Sequence, residues 1–288
     1  MKSNAAGKKI CQILKTSQTY HYNLDKEGKK ESISVDIISR KKYEKKESDC
    51  HYTVYDVKVA VTINGKQIYT KVAKEQLYIS EKEYLSYVPI KVIITDIDKG
   101  DKQMELLIFE GDCVEFGTDT IEHIYYYQYA NERAKRKQDL VTLFRKSLPY
   151  VSNVSGVKNS SILTINEKNE VFAQVRLNVP NFSDVFIQAN VSLLLENGKF
   201  IQKTRKLYKI AEIEEPISAK KNMIVYTSLG RKEKAFTVKK RGKINLCNIY
   251  LKNRKKIYVK IKNQSRKSGY IDPKNVSVYI DVAPDYYD

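Results

Sequence analysis

Apolar and polar residues alternate one for one along most of this chain. Ile33, Val35 and Ile37 alternate in "ESISVDII", and Val57, Val59, Val61 and Ile63 alternate up to Asn64-Gly65. Ile90, Val92 and Ile94 precede "DIDKGDK", and Met104, Leu106 and Ile108 follow it. The later half repeats the habit at Val185, Ile187, Ala189, Val191, Leu193 and Leu195, at Ile257, Val259 and Ile261, and at Val276, Val278, Ile280 and Val282. A period of two sends successive side chains to opposite faces, so each run predicts a strand with one buried and one wet face. That is the pattern of antiparallel sheets packed on one side. Turn chemistry separates the runs: Asn64-Gly65, Lys99-Gly100-Asp101, Glu110-Gly111-Asp112, Asn197-Gly198 and Asp272-Pro273.

One stretch reads differently. "DTIEHIYYYQYANERAKRKQDLVTLFRKSL", residues 119–148, places Ile121, Ile124 and Tyr125, then Leu140, Val141, Leu143, Phe144 and Leu148, at helical spacing. Asp119 or Thr120 can cap its start, and Pro149 stops it. The spacing predicts one long helix or two shorter ones. The expected architecture is therefore mainly β. Two antiparallel sandwich- or barrel-like domains, residues 1–118 and 150–288, flank a helical connector at 119–149.

The hairpin "VAVTINGKQIYTKV" shares "NGK" with "LLLENGKFIQK" further on, which raises the question of a duplicated module. Folding the first about Asn64-Gly65 sets Val61 against Ile68, Val59 against Thr70 and Val57 against Val72, leaving Lys58, Tyr69 and Lys71 on the polar face. Folding the second about Asn197-Gly198 sets Glu196 against Lys199 and Leu195 against Phe200. The residue flanking the turn is on the apolar face in one and on the polar face in the other. A one-residue slip inverts every side chain, so the match is better read as shared turn chemistry than as a repeat.

Charge sharpens the picture. The net charge is +18 over 288 residues, with 52 basic and 34 acidic side chains. Residues 231–267 alone hold fifteen basic residues against the single acid Glu233. The candidate surface for a polyanion or an acidic partner is Lys239, Lys240, Arg241, Lys243, Arg254, Lys255, Lys256, Tyr258, Lys260, Lys262, Arg266 and Lys267. Alternation along 257–262 turns Tyr258, Lys260 and Lys262 away from the apolar side, making a cationic face with an aromatic on it. A second basic cluster, Arg133, Lys135, Arg136 and Lys137, reads as a solvated surface. The tail turns acidic at Asp272, Asp281, Asp285 and Asp288.

Catalytic signatures are scarce. The chain has neither a glycine-rich phosphate loop nor Gly-x-Ser-x-Gly. Cys50-His51 has no second pair at zinc spacing. Asp36 with Glu44-Lys45-Lys46 imitates a metal-dependent nuclease pattern, but Glu44 lies in a charged run. Asp96, Asp98 and Asp101 in "DIDKGDK" suit a turn better than a calcium loop. Glu110, Asp112 and Glu115 read as an outward acidic face. No cofactor or metal is expected. Four widely spaced cysteines point to reduced thiols. With no apolar run suited to a signal peptide or membrane span, the expectation is a cytoplasmic protein that is not an enzyme and has no membrane partner. The leading functional expectation is a structural or assembly protein, such as a virion or phage-tail subunit, that contacts partner chains or copies of itself. The alternative is a nucleic-acid-binding protein using 231–267.

Overall fold

The computed structural model describes residues 11–25, 27–47, 50–77, 90–98, 100–101, 103–112, 120–155, 163–165, 170–182, 187–203, 205–212, 217–230, 233–252, 256–276 and 278–280. The fold is mainly β with antiparallel pairing, as the alternation predicts. The chain clusters into two compact units: residues 1–140 with 165–170 and 195–200, and residues 141–164, 171–194 and 201–288.

Among the described residues, 11–139 of the first unit form nine strands: β1 (Cys11–Ile13), β2 (Thr19–Tyr22), β3 (Glu31–Glu47), β4 (Cys50–Ile63), β5 (Lys66–Leu77), β6 (Ile90–Thr95), β7 (Glu105–Asp112), β8 (Thr120–Ala130) and β9 (Arg133–Asp139). They make two sheets. One runs β2-β3-β4-β5 and the other β1-β6-β7-β8-β9. One core lies between them. Ile33, Val35, Val57, Val59, Val61 and Ile63 enter it from the first sheet, and Ile90, Val92, Ile94, Leu106, Ile108, Tyr127 and Tyr129 from the second. Apolar burial on this scale is what pays the entropy of ordering the chain. Asn64 fastens the hairpin turn. With φ at 50°, its side chain accepts from the Ser32 amide at 2.9 Å and donates to the Tyr129 hydroxyl at 2.9 Å.

The β4–β5 register departs from simple folding about that turn. Ile63 meets Lys66 and Thr62 meets Gln67, but Val61 then meets Tyr69 and Val59 meets Lys71. Ile68 is a bulge, and one extra residue on one strand inverts everything beyond it. Tyr69, Lys71 and Ala73 consequently face the core side. Val72, expected inside, is exposed. The inward Tyr69 hydroxyl donates to Glu110 Oε2 at 2.6 Å, and the Lys71 ammonium pairs with Glu110 Oε1. Glu110 is therefore not part of an outward acidic face. Burial works to raise its carboxyl, but hydrogen bonds from Lys71 and Tyr69, with the charges of Lys71 and His123, hold it below its usual value. His123 sits directly across from Glu110, its Nδ1 lies 2.8 Å from Asp139 Oδ2, and its ring stacks on Tyr125.

The helix expected over 119–148 is corrected by the structure. Residues 120–139 form the β8–β9 hairpin, turned at Asn131 and Glu132 with φ of 51° and 56°. Among the described residues of this stretch only Leu140–Ser147 is helical (α1), with Leu140, Val141 and Phe144 buried. The physical reason is the aromatic run "IYYYQY", whose bulky side chains suit a pleated surface. Both faces of β8 are used: Tyr127 and Tyr129 join the core, while Tyr126 meets Phe200 edge-on at 5.0 Å. Gln138 of β9 clamps the Phe200 backbone, accepting from its N–H at 2.6 Å and donating to its carbonyl at 2.8 Å. The basic cluster Arg133, Lys135, Arg136 and Lys137 thus lies on a strand, with the Arg136 guanidinium 4.7 Å from the Tyr125 ring centroid.

The remaining strands are β10 (Val151–Ser155), β11 (Leu163–Ile165), β12 (Glu170–Leu177), β13 (Ile187–Glu196), β14 (Lys199–Gln202), β15 (Leu207–Glu212), β16 (Ile217–Ala219), β17 (Met223–Tyr226), β18 (Lys234–Val238), β19 (Lys243–Lys252), β20 (Lys256–Lys262), β21 (Ser268–Ile271) and β22 (Val278–Ile280). In the second unit β15, β19, β20, β21, β17 and β18 are joined in that order by antiparallel pairing. Their buried side includes Tyr208, Leu246, Ile249, Leu251, Ile257, Val259, Ile261 and Ile271. Gly269 makes the β21–β17 approach feasible. A Cβ there would stand 2.7 Å from the Tyr226 carbonyl oxygen and 2.7 Å from Val225 Cγ1.

Two outcomes test this account. Gly269→Ala forces backbone and core to shift and should cost about 1–3 kcal/mol, read as a lowered denaturant midpoint with unchanged slope. The second concerns Glu105, buried at the start of β7 with Oε2 accepting from the Ile97 amide at 2.6 Å. Burial, against that hydrogen bond, pushes its carboxyl up to about 8 from 4.5. The folded state therefore holds this proton where the unfolded chain has released it. The stabilisation is complete below 4.5 and fades as pH rises through about 8. Glu105→Gln should flatten the decline in unfolding free energy across that window; a parallel decline in both proteins would refute the assignment.

Candidate functional site

Directly opposed residues in antiparallel strands share a face, so the register of the six-stranded sheet of the second unit defines its outward surface. Lys209 faces Asn248, Asn248 faces Lys260, Lys260 faces Tyr270, Tyr270 faces Tyr226, and Tyr226 faces Lys234. One row of side chains therefore crosses all six strands, about 24 Å at normal strand spacing. A neighbouring row sets Leu207, Tyr250 and Tyr258 side by side. Lys252 and Lys256 pair at one end of β19, and Asn245 pairs with Lys262 toward the other.

The phase of β19 depends on a bulge at Cys247, between the Leu246–Ile261 and Asn248–Lys260 pairs. Without it Asn248, Tyr250 and Lys252 would turn inward and Ile249 and Leu251 outward. With it, Tyr250 and Tyr270 reach toward each other across β20, ring centroids 5.0 Å apart at 84°. Each ring stays partly exposed. The hydrogen bond with Tyr250, followed by burial, pushes the Tyr270 hydroxyl up to about 12, so its phenol is neutral at physiological pH. The Lys260 ammonium lies 5.9 Å from the Tyr270 centroid, a distance at which a cation and a ring face attract. Leu207 and Ile224 add apolar surface, 42% and 48% exposed.

The sequence-predicted residues divide. Lys260 and Lys262 share the outward face with Lys209, Lys234 and Lys252. Lys239, Lys240 and Arg241 are exposed in the β18–β19 turn, where the Lys240 amide donates to Asn222 Oδ1 and Arg241 has a φ of 64°. Lys243 is exposed at the start of β19, and Arg266 and Lys267 are exposed in the β20–β21 turn. Arg254 and Lys255, with Arg231, Lys232 and the tail acids Asp281, Asp285 and Asp288, lie outside the described residues. Tyr258 is corrected as a stacking platform: it is only 5% exposed, with the Lys256 ammonium 5.2 Å from its ring centroid. Lys256 is itself held, its Nζ 2.9 Å from Asp272 Oδ2, and that hydrogen bond raises its pKa. Asp272 is buried and caps a 3-10 turn, Pro273–Asn275, through the Lys274 amide. This acid at the end of β21 is a local counter-charge, not a distant tail.

Sequence reasoning missed Tyr250 and Tyr270, the rings that remain accessible, together with Lys209 and Tyr226. The signal for Tyr250 was present. Apolar residues at 244 and 246 are followed by apolar residues at 249 and 251, and that switch from even to odd marks the bulge.

The other chemical candidates are structural. Asp36 and Glu44 stand eight residues apart on the same strand, β3, about 26 Å along it, and Glu44 accepts from Thr53. Asp98 and Asp101 close their own turns, accepting from the Gly100 and Gln103 amides at 3.0 Å each. The side chains of Cys50, Asp112 and Glu115 lie outside the described residues, and His51 is exposed. Among the described residues no three His, Cys, Asp or Glu side chains converge as metal ligands, and no helix is long and apolar enough to cross a membrane. No family model matches the chain, and neither a curated protein nor a solved structure is found to be similar to it.

Proposed function

We propose that this chain is a binding protein, not an enzyme, that serves in a larger assembly by holding a polyanionic partner on the outward face of the β15–β19–β20–β21–β17–β18 sheet. The observation that carries the reading is the row Lys209, Asn248, Lys260, Tyr270, Tyr226 and Lys234, with Lys252 and Lys262 beside it. Cations gathered on one ordered surface focus a positive field and capture anions by releasing their counterions. The exposed turns at 239–241 and 266–267 extend that field. A virion or a phage tail is one setting in which such a protein serves.

Binding to heparin, a model polyanion, across a salt series tests the reading. The log of the affinity should fall linearly with the log of salt concentration. A variant carrying Lys209→Gln, Lys252→Gln, Lys260→Gln and Lys262→Gln should lower the slope by roughly one for each lysine that meets an anionic group. An affinity already absent at low salt, or a slope unmoved by the variant, would overturn it.

A second reading, association with copies of itself or with partner chains, draws on the first unit. Ile38 and Val72 are each 47% exposed on the β2–β5 sheet, and apolar side chains left in water mark contact surfaces when they gather. Light scattering over a concentration series should show a mass above 33.4 kDa, reduced by Ile38→Lys with Val72→Lys. A mass that stays monomeric at every concentration would remove self-association.

A further inference from the structure

We infer that the partner of the lysine–tyrosine face is a single-stranded nucleic acid, an inference that rests on the polyanion reading above and adds the chemistry of the ligand. Lysines alone would suit any polyanion. The tyrosines do not follow from charge. Tyr250 and Tyr270 are partly exposed rings at the centre of the face, with Lys260 beside them and Lys252 and Lys262 toward opposite ends of the β19–β20 pair. Tyr226 extends the aromatic row, and Leu207 and Ile224 border it with exposed apolar surface.

Three partner chemistries can be weighed against that arrangement. An acidic peptide gains from the ammonium groups but has no flat π-face to place on the rings. A duplex offers phosphates, but its bases are stacked on one another and turned inward. A single strand offers both, with a phosphate for each lysine and an unstacked base for each ring or apolar neighbour. Stacking of this kind tolerates every base, so the face predicts weak sequence preference and strong salt dependence. The two ends of the face differ. Lys256 is held by Asp272, whereas Lys262 stands beside the exposed turn residues Arg266 and Lys267. The side chains that discriminate are therefore Tyr250 and Tyr270, and those that attract without discriminating are the lysines.

The experiment uses the whole chain and four probes at one moderate salt concentration: a fluorescein-labelled single-stranded oligonucleotide of mixed sequence, the same strand annealed to its complement, heparin and polyglutamate. The single strand should bind at least roughly tenfold more tightly than the duplex. The pair Tyr250→Ala with Tyr270→Ala should weaken single-strand binding by roughly tenfold or more and leave heparin within about twofold. The pair Tyr250→Phe with Tyr270→Phe keeps both rings and should restore single-strand binding, which separates stacking from misfolding. Because the chain has no Trp, its emission comes from its 22 tyrosines, and the share of it lost in the Tyr250→Ala, Tyr270→Ala variant should be quenched by the single strand but not by heparin. Heparin binding with no preference for the single strand over the duplex, or a preference for polyglutamate, overturns this inference and leaves the polyanion reading standing. Binding to none of the four probes, with the measurement repeated at low salt, overturns both.

Discussion

In an antiparallel sheet neighbouring side chains must leave by opposite faces, and a strand can change which set it sends inward only by inserting a residue. Much of this protein's chemistry is decided at two such insertions. The extra residue Ile68 turns Tyr69 and Lys71 toward the interior of the first unit, where they meet Glu110. The extra residue Cys247 turns Tyr250 outward in the second unit while keeping Ile249 and Leu251 buried. The same device therefore builds an internal polar link in one unit and an external aromatic surface in the other. Hydrophobic burial fixes the remainder of each strand, so the polar consequences follow without further choice.

The internal link shows how an apolar sandwich accommodates charge. Lys71, Tyr69 and Glu110 come from both sheets of the first unit, and His123 continues the chain to Asp139. Tyr69 and Lys71 share the Glu110 carboxylate and His123 meets Asp139, and pairing of this kind is what offsets the cost of taking polar groups out of water. Tyr125 closes the group, stacked on His123 with the Arg136 guanidinium over its ring. Arginine over tyrosine is a favourable contact in its own right. Such a network ties the sheets in one register, because a slipped strand would leave several polar groups without partners.

How far the sequence could be read follows from the same physics. Strands with a clean period of two, such as those around Val57–Ile63 and Ile257–Ile261, were legible with their inward faces correctly assigned. The Asn-Gly turns were legible because few dipeptides tolerate positive φ twice. The β8–β9 hairpin was not. Its turn is Asn131-Glu132, without glycine, and its strand buries both faces, so tyrosines stand at spacings that also fit a helix. The hairpin interior at Tyr69 and Lys71 was misread because a bulge leaves little trace when the inserted residue is apolar, like Ile68. At the cationic face, the concentration of lysines was visible in the composition. The accessibility of Tyr250 and the burial of Tyr258 were not, since both depend on neighbours one and two strands away.

The junction between β21 and β17 carries a mechanical meaning. The β17–β18 ribbon joins the rest of its sheet through the pair Tyr226–Tyr270, at the point where Gly269 lets the backbones close. β20, by contrast, is paired along most of its length on both sides. Two strands alone are barely stable in water, so the outer ribbon draws its order from that rung and from the burial of Met223, Val225 and Val238. Opening there is a local event with a smaller free energy than unfolding of the sheet. The outward face thus combines a stiff four-stranded plate, bearing Tyr250 and Lys260, with a hinged margin bearing Tyr226 and Lys234. A ligand that reaches the margin would stiffen it, and slower amide hydrogen exchange in β18 on binding would be the trace of that stiffening.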